Sequence, residues 1–306
     1  MRYRAVPKTD LVVSELCLGG NVFGWSASEA ESIEVLDAFA NRGGNFIDTA
    51  DVYSEWKDGN SGGESETIIG KWLEGKVRSD FVIATKVAKL STRPGLAAQN
   101  VIAACEDSLR RLQTDHIDIY YSHHFDTEVP IEETLAAYET LITQGKVRYI
   151  AASQHSAHQL RKAKAVSEEN SLPQYIALQN EYNLLEREDY ESDSKPILEE
   201  FGIGSFPFFA LARGFLTGKY KGSNRVESVR AQGVEKYATP ENFELLARLE
   251  AVAKEHSVSI AAVALEWLRS QPTVIAPIAS ARTVEQLLEI TQEVTLTAAE
   301  LEFIRS

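Results

Sequence analysis

The sequence predicts an α/β fold, a (β/α)8 or TIM barrel with an N-terminal β-hairpin capping the barrel bottom. Three observations point there. Strand-like and helix-like stretches alternate eight times across 306 residues with no linker between them, which suits a single barrel domain over residues 1–306. The strand-like stretches are short and apolar, and most lack period-two alternation, as in strands buried on both faces. The alternative, a doubly wound open sheet, usually begins with a GxGxxG turn, and none occurs here.

Residues 3–6 and 11–14 flank Pro7-Lys8-Thr9-Asp10 and predict the hairpin. Residues 15–18 read as the first barrel strand, which runs into Gly19-Gly20-Asn21, where two glycines permit close backbone approach. Phe23 and Trp25 follow, equally suited to core and to a pocket wall. Ser28 and Glu31 form a capping-box pattern ahead of a helix that stops at Gly43-Gly44. The strand at 45–48 leads, through a loop carrying Tyr53, Trp56 and Asn60, to a helix over 64–73. The next strands are 81–85, ending at Lys86, and 117–121, ending at Ser122-His123-His124. Ile102, Cys105, Leu109 and Leu112 stripe the helix between them. Pro130 opens a helix that Gly145 closes. Strand 147–151 leads to Ser153-Gln154, a short helix spans 157–164, and strand 176–178 leads to Gln179-Asn180. A helix through 197–201 precedes strand 203–206, which leads to Pro207-Phe208. Residues 214–240 read as a long loop, followed by helices at 243–256 and 260–269. The last strand is expected at 274–276, with terminal helices at 283–290 and 298–304.

The net charge of −14 argues against nucleic acid or an anionic membrane as the main partner. No run of about 20 apolar residues is present to span a bilayer. The N-terminus lacks the apolar core of a signal peptide. Cys17 and Cys105, the only cysteines, have no motif spacing and read as reduced buried thiols. A cytoplasmic protein is expected.

In a barrel of this kind the strand C-termini share one rim, and sites are built there. Asp48 with Tyr53, Lys86, His123, Ser153-Gln154, Gln179 and Phe208 all fall on it. Tyr53 is the candidate general acid. A free phenol has a pKa of about 10, and a nearby ammonium, Lys86, is expected to lower it. Asp48 would hold Lys86 by an ion pair, and His123 would donate a hydrogen bond to a substrate oxygen. A carbonyl held by Tyr53 and His123 is activated to accept hydride from a reduced nicotinamide. For a metal, His155 and His158 lack a completing carboxylate, so none is expected.

Seven ordered segments resemble the aldo-keto reductase superfamily over nearly the whole chain: FIDTADVY, IATK, IDIYYSHH, VRYIAASQ, LQNEYNLLERE, ALARGFLTGKY and IAPIASARTVEQL. The resemblance implies an NAD(P)H-dependent oxidoreductase acting on small-molecule aldehydes, ketones or alcohols, with Asp48, Tyr53, Lys86 and His123 as its tetrad. It implies cofactor contacts at Gly20, Asn21, Ser153, Gln154 and Gln179, with Gln154 where Asn is usual. Phe208 would stack on the nicotinamide in place of the usual Tyr, and Leu211, Arg213 and Gly214 would wrap the pyrophosphate. Ser280, Arg282 and Gln286 would reach the 2′-phosphate, favouring NADP(H) over NAD(H). Phe23, Trp25, Trp56 and His124 would line the substrate pocket. The hydrophilic tip at Asn60-Ser61-Gly62-Gly63 and the short chain end after the last helix favour a polar, polyol-like or sugar-derived substrate over a steroid. Two alternatives stay open: a sugar or polyol dehydrogenase, and a nucleotide-binding accessory subunit of a potassium channel, which the lack of an N-terminal extension disfavours. The oligomeric state has no signal in the sequence.

Overall fold

The computed structural model of the chain describes residues 1–220 and 231–306. Strands β1 (Tyr3–Ala5) and β2 (Val12–Ser14) pair antiparallel as the expected hairpin. Eight parallel strands follow: β3 (Cys17–Gly19), β4 (Phe46–Asp48), β5 (Val82–Val87), β6 (Ile117–Ser122), β7 (Val147–Ser153), β8 (Ala177–Gln179), β9 (Gly204–Ser205) and β10 (Ile278–Ala279). Their spatial order is β10-β3-β4-β5-β6-β7-β8-β9. The ring is completed between its two ends. Ser205 N donates to Thr273 O at 2.8 Å, Ile275 N to Ser205 O at 2.9 Å and Ile278 N to Pro207 O at 2.8 Å.

The last strand is therefore displaced from its expected place at 274–276. Val274 makes a single parallel bridge to Ser205, whereas the pairing with β3 belongs to Ile278 and Ala279. Pro277 separates the two stretches, because it has no N–H to continue a ladder; its carbonyl still accepts from Cys17 N.

The helices are α1 (Glu29–Asn41), α2 (Glu64–Leu73), α3 (Ala98–Leu112), α4 (Ile131–Thr143), α5 (Ala157–Asn170), α6 (Lys195–Phe201), α7 (Ala231–Val234), α8 (Pro240–His256), α9 (Ile260–Arg269), α10 (Val284–Ile290) and α11 (Ala298–Arg305). Ser28 and Glu31 cap α1 reciprocally, as the sequence pattern requires. Helix α5 begins at a second capping box, Ser156 with Gln159, and runs on to Asn170, beyond the expected end at 164, closing only at left-handed Ser171. The loop expected over 214–240 is partly structured. Ala212–Thr217 is a kinked 3-10 segment, and α7 and a 3-10 turn, Glu235–Tyr237, lead into α8. Residues 221–230 of that loop lie outside the described residues. Between α2 and α3 the backbones touch: a Cβ on Gly70 would lie 2.1 Å from Arg111 O.

Two apolar layers result. Between sheet and helices, residues such as Leu36, Ile69, Leu109 and Trp267 are buried together. Inside the barrel, Phe46, Tyr121 and Phe206 pack with Val6, Leu11 and Val13, so the hairpin region fills the end where the strands begin. Phe46 and Phe206 meet edge to face at 4.8 Å. Arg2 and Arg4 both pair with Glu15, and Arg2 also reaches Glu266, which is buried beside Arg269. This network ties the chain start to α9. Among the described residues no helix is long and apolar enough to cross a membrane.

Candidate active site

The site is built at the strand C-termini. Asp48 is the last residue of β4 and Lys86 lies near the end of β5, its neighbour in the ring. Lys86 is fully buried, and its Nζ is 2.5 Å from Asp48 Oδ2. It also donates to Thr49 O at 2.8 Å and to the Tyr53 hydroxyl at 2.9 Å. Tyr53 in turn donates toward Asp48 Oδ2 at 3.3 Å, and Gln179 Nε2 donates to the other carboxylate oxygen at 2.9 Å. Every hydrogen of the ammonium thus has an acceptor, which is what a buried charge requires.

The electrostatics of Tyr53 differ from expectation. Its pKa is pushed well above that of a free phenol, first by burial and then by the Asp48 carboxylate. The Lys86 charge is already taken up by Asp48, and burial itself lowers the ammonium's pKa. Tyr53 is therefore a neutral phenol that holds its proton. His123 stands just past β6, its ring 6.1 Å from that of Tyr53 and 71° from parallel. Burial, with Lys86 and Lys89 adding to it, pushes its pKa well below the ordinary value, so the imidazole is neutral.

Asp48, Tyr53, Trp56 and His123 line one end of a cavity of about 660 Å3. The wall continues through Ser153, Gln154 and Gln179 to Phe208. Ser153 Oγ donates to Gln179 O at 2.9 Å, and Gln154 is held in the left-handed region with its amide donating to His123 O at 3.3 Å. Beyond β9 the wall is Leu211, Arg213, Gly214 and Lys219; beyond β10 it is Ser280, Arg282 and Gln286, with Asn21 beside them. Ser280 Oγ donates to Asn21 Oδ1 at 2.6 Å, and Gln286 Oε1 accepts from Arg282 N at 3.0 Å. Arg213 Cζ lies over the Phe209 ring, 4.0 Å from its centroid, and among the described residues its buried Nε has no hydrogen-bond partner. One cavity thus joins a proton-bearing end to an aromatic ring and, past β9 and β10, to the three cations Arg213, Lys219 and Arg282. That donor set fits a phosphorylated dinucleotide with an aromatic head.

Lys86 lies buried behind the cavity wall, and four other expected residues do not reach it either. Gly20 is packed inside, where a Cβ would meet Ser65 Oγ at 2.7 Å, so its glycine serves close packing. Phe23 is fully buried core. Trp25 stands edge-on to Trp56 at 5.6 Å and supports it from the side. His124 is half-buried, and its Nδ1 has no hydrogen-bond partner among the described residues. Conversely, Lys89 and Lys219 line the cavity without having been singled out. Lys219 lies within ALARGFLTGKY, where it was legible; Lys89 lies in a stretch with no periodicity to mark it.

Comparison with known proteins agrees with the geometry. The profile of the aldo/keto reductase family matches residues 15–306. The chain is 36% identical over 308 residues to the uncharacterized oxidoreductase YrpG of Bacillus subtilis, covering 97% of this chain and 92% of that protein. It is 33% identical to a probable voltage-gated potassium channel subunit beta of Oryza sativa subsp. japonica, over 94% of this chain and 90% of that one. It is also 33% identical to an aryl-alcohol dehydrogenase of Pestalotiopsis microspora, over 92% of this chain and 74% of the relative. A barrel with these groups at its rim and a family match over almost its full length place the chain in the aldo/keto reductase family, as an NAD(P)H-dependent oxidoreductase of carbonyl and alcohol groups.

Proposed function

We propose that this chain reduces small polar or sugar-derived aldehydes and ketones with NADPH, with Tyr53 as the general acid. The observation that carries the reading is the contact of the Tyr53 hydroxyl with Lys86 Nζ at 2.9 Å on the wall of the cavity that also holds His123. Ser153, Gln154 and Gln179 would hold the nicotinamide carboxamide, with Phe208 against the ring. Leu211, Arg213 and Gly214 would take the pyrophosphate, and Ser280, Arg282 and Gln286 the 2′-phosphate, with Asn21 fixing Ser280. A bound reduced nicotinamide supplies the hydride. The protein's own work is on the oxygen. Tyr53, still protonated at neutral pH, gives its proton to the carbonyl oxygen as charge builds there. Lys86 is in place to stabilise the phenolate left behind, and Asp48 keeps the ammonium aimed. Neutral His123 would hold the same oxygen by a hydrogen bond.

The preference for NADPH rests on Arg282, a half-buried guanidinium on the cavity wall at the entry to α10. The residues form one domain on this reading, and free, buried Cys17 and Cys105 suit a reducing cytoplasm. Small molecules, not nucleic acid or membrane, are its partners.

The test follows consumption of NADPH, and separately NADH, against aromatic aldehydes and keto-sugars for the native chain and Tyr53→Phe. A loss of about 10²–10⁴-fold in kcat is expected for the variant. Equal turnover in the two proteins would remove Tyr53 as the acid. Arg282→Ala should raise KM for NADPH about tenfold while sparing NADH. A second reading, a nucleotide-binding accessory subunit, is favoured by the name of the rice relative. Tight NADPH binding without turnover, together with co-purification with a membrane channel, would support it.

A further inference from the structure

Lys89 stands three residues after Lys86, just beyond β5, and lines the same cavity as Tyr53, Trp56 and His123. It is half-buried. Among the described residues no carboxylate pairs with it and no acceptor takes a hydrogen bond from it. Burial and the neighbouring Lys86 both lower its pKa. Its charge reaches His123 and His124, lowering the pKa of each. A half-buried ammonium without a counter-charge gives up solvation for nothing in return. This chain has 45 acidic residues against 31 basic ones, so a partner would be easy to supply. Elsewhere it does supply them: Lys71, Lys76, Lys146 and Lys164 all pair with carboxylates.

Lys89 also stands apart from the cations that suit a nucleotide. Arg213 and Lys219 follow β9, and Arg282 follows β10. In the strand order β10-β3-β4-β5-β6-β7-β8-β9, β5 and β9 face each other across the ring. The cavity thus has its phosphate-type cations on one side and a lone ammonium on the other, beside the proton-bearing groups. Trp56, 48% exposed, offers an apolar face at the same mouth.

We propose that Lys89 is the anchor for an anionic group on the substrate, so that the preferred carbonyl compounds carry a carboxylate or phosphate in addition to the reacting carbonyl. The inference rests on the reductase reading above and narrows its substrate class. The ion pair of Lys89 is completed only when such a substrate is bound.

The experiment compares matched substrates in the native chain, Lys89→Met and Lys89→Arg, with NADPH. The pairs are 4-carboxybenzaldehyde with its methyl ester, and glyceraldehyde 3-phosphate with glyceraldehyde. The charged-to-neutral ratio of kcat/KM should exceed one in the native chain, fall at least tenfold in Lys89→Met and largely recover in Lys89→Arg. The pair showing the larger drop identifies carboxylate or phosphate as the natural group. A ratio unchanged by Lys89→Met would overturn the proposal. A second arm follows quenching of tryptophan fluorescence by benzoate and by benzamide, which needs no turnover. Benzoate binding weakened by Lys89→Met, with benzamide binding unaffected, supports the anchor; equal benzoate affinity in both proteins overturns it. Failure of every aldehyde to turn over, with Lys89-dependent benzoate binding intact, would count against the reductase reading alone.

Discussion

Asp48 has two tasks at once: one oxygen holds Lys86 and the Tyr53 hydroxyl, and the other is held by Gln179. Asp48→Asn should therefore leave a fully buried ammonium without its counter-charge. A destabilisation of about 3–5 kcal/mol is expected in urea unfolding, unless Lys86 releases its proton, which would appear as a shifted pH profile of kcat. Three residues on, Asp51 is 1% exposed, and among the described residues neither of its carboxylate oxygens has a hydrogen-bond partner. Burial, then the nearby Glu66, lifts its pKa from 3.8 to about 7. The folded chain thus holds a proton that the unfolded chain releases above pH ~4. The stabilisation is complete below that point and is lost as pH rises through about 7, a change of up to about 4 kcal/mol. Asp51→Asn should flatten this slope, raising Tm at pH 8 more than at pH 5; parallel Tm–pH curves for the two proteins would contradict it. That Asp48, Tyr53, Lys86 and His123 would lie together was legible because an acid, a phenol, an ammonium and an imidazole each follow a readable apolar strand. The direction of the Tyr53 shift was not, since it depends on burial and on the Asp48 carboxylate beside the phenol. Phe23 was ambiguous for a similar reason: an aromatic after a strand says nothing about which side it faces.

At the scale of elements, caps and stripes carried well from sequence to structure. The Ser28–Glu31 box and the span Glu64–Leu73 are where the pattern put them. What failed was pairing decided at a distance. The choice between 274–276 and Ile278–Ala279 is made by β3 and β9, which compete for the stretch on either side of Pro277. The segment Ala212–Thr217 turns through three successive left-handed residues, Ala212, Arg213 and Gly214, and no periodicity announces such a turn. Close contact between helices is likewise invisible in sequence. Replacing an interior helical glycine by alanine normally stabilises by about 1 kcal/mol. At Gly70 the sign should reverse, because the new methyl would meet Arg111 O at 2.1 Å. Gly70→Ala is expected to lower the urea midpoint by the equivalent of about 1–3 kcal/mol, the usual range for overpacking.

Across the whole molecule, the hairpin and the ring depend on each other. Glu266 meets Arg269 and Arg2, and through Glu15 the network extends to Arg4. Glu266→Gln should cost about 3–5 kcal/mol, as breaking a buried pair does. It should also speed hydrogen exchange at the backbone amides of β1 and β2; unchanged exchange there would show that packing of Val6, Leu11 and Val13 alone secures the hairpin. The eightfold alternation made the ring legible from sequence, yet its circular order has a consequence for how the protein can change. On the proposed reading, the groups that would handle the proton follow β4, β5 and β6, which are consecutive, while the cations suited to nucleotide phosphates follow β9 and β10. The two duties thus occupy separate arcs of one wall. Substitutions that retune the choice of dinucleotide can accumulate on one arc while the chemistry on the other is inherited intact, so a lineage can exchange its electron donor without relearning its reaction.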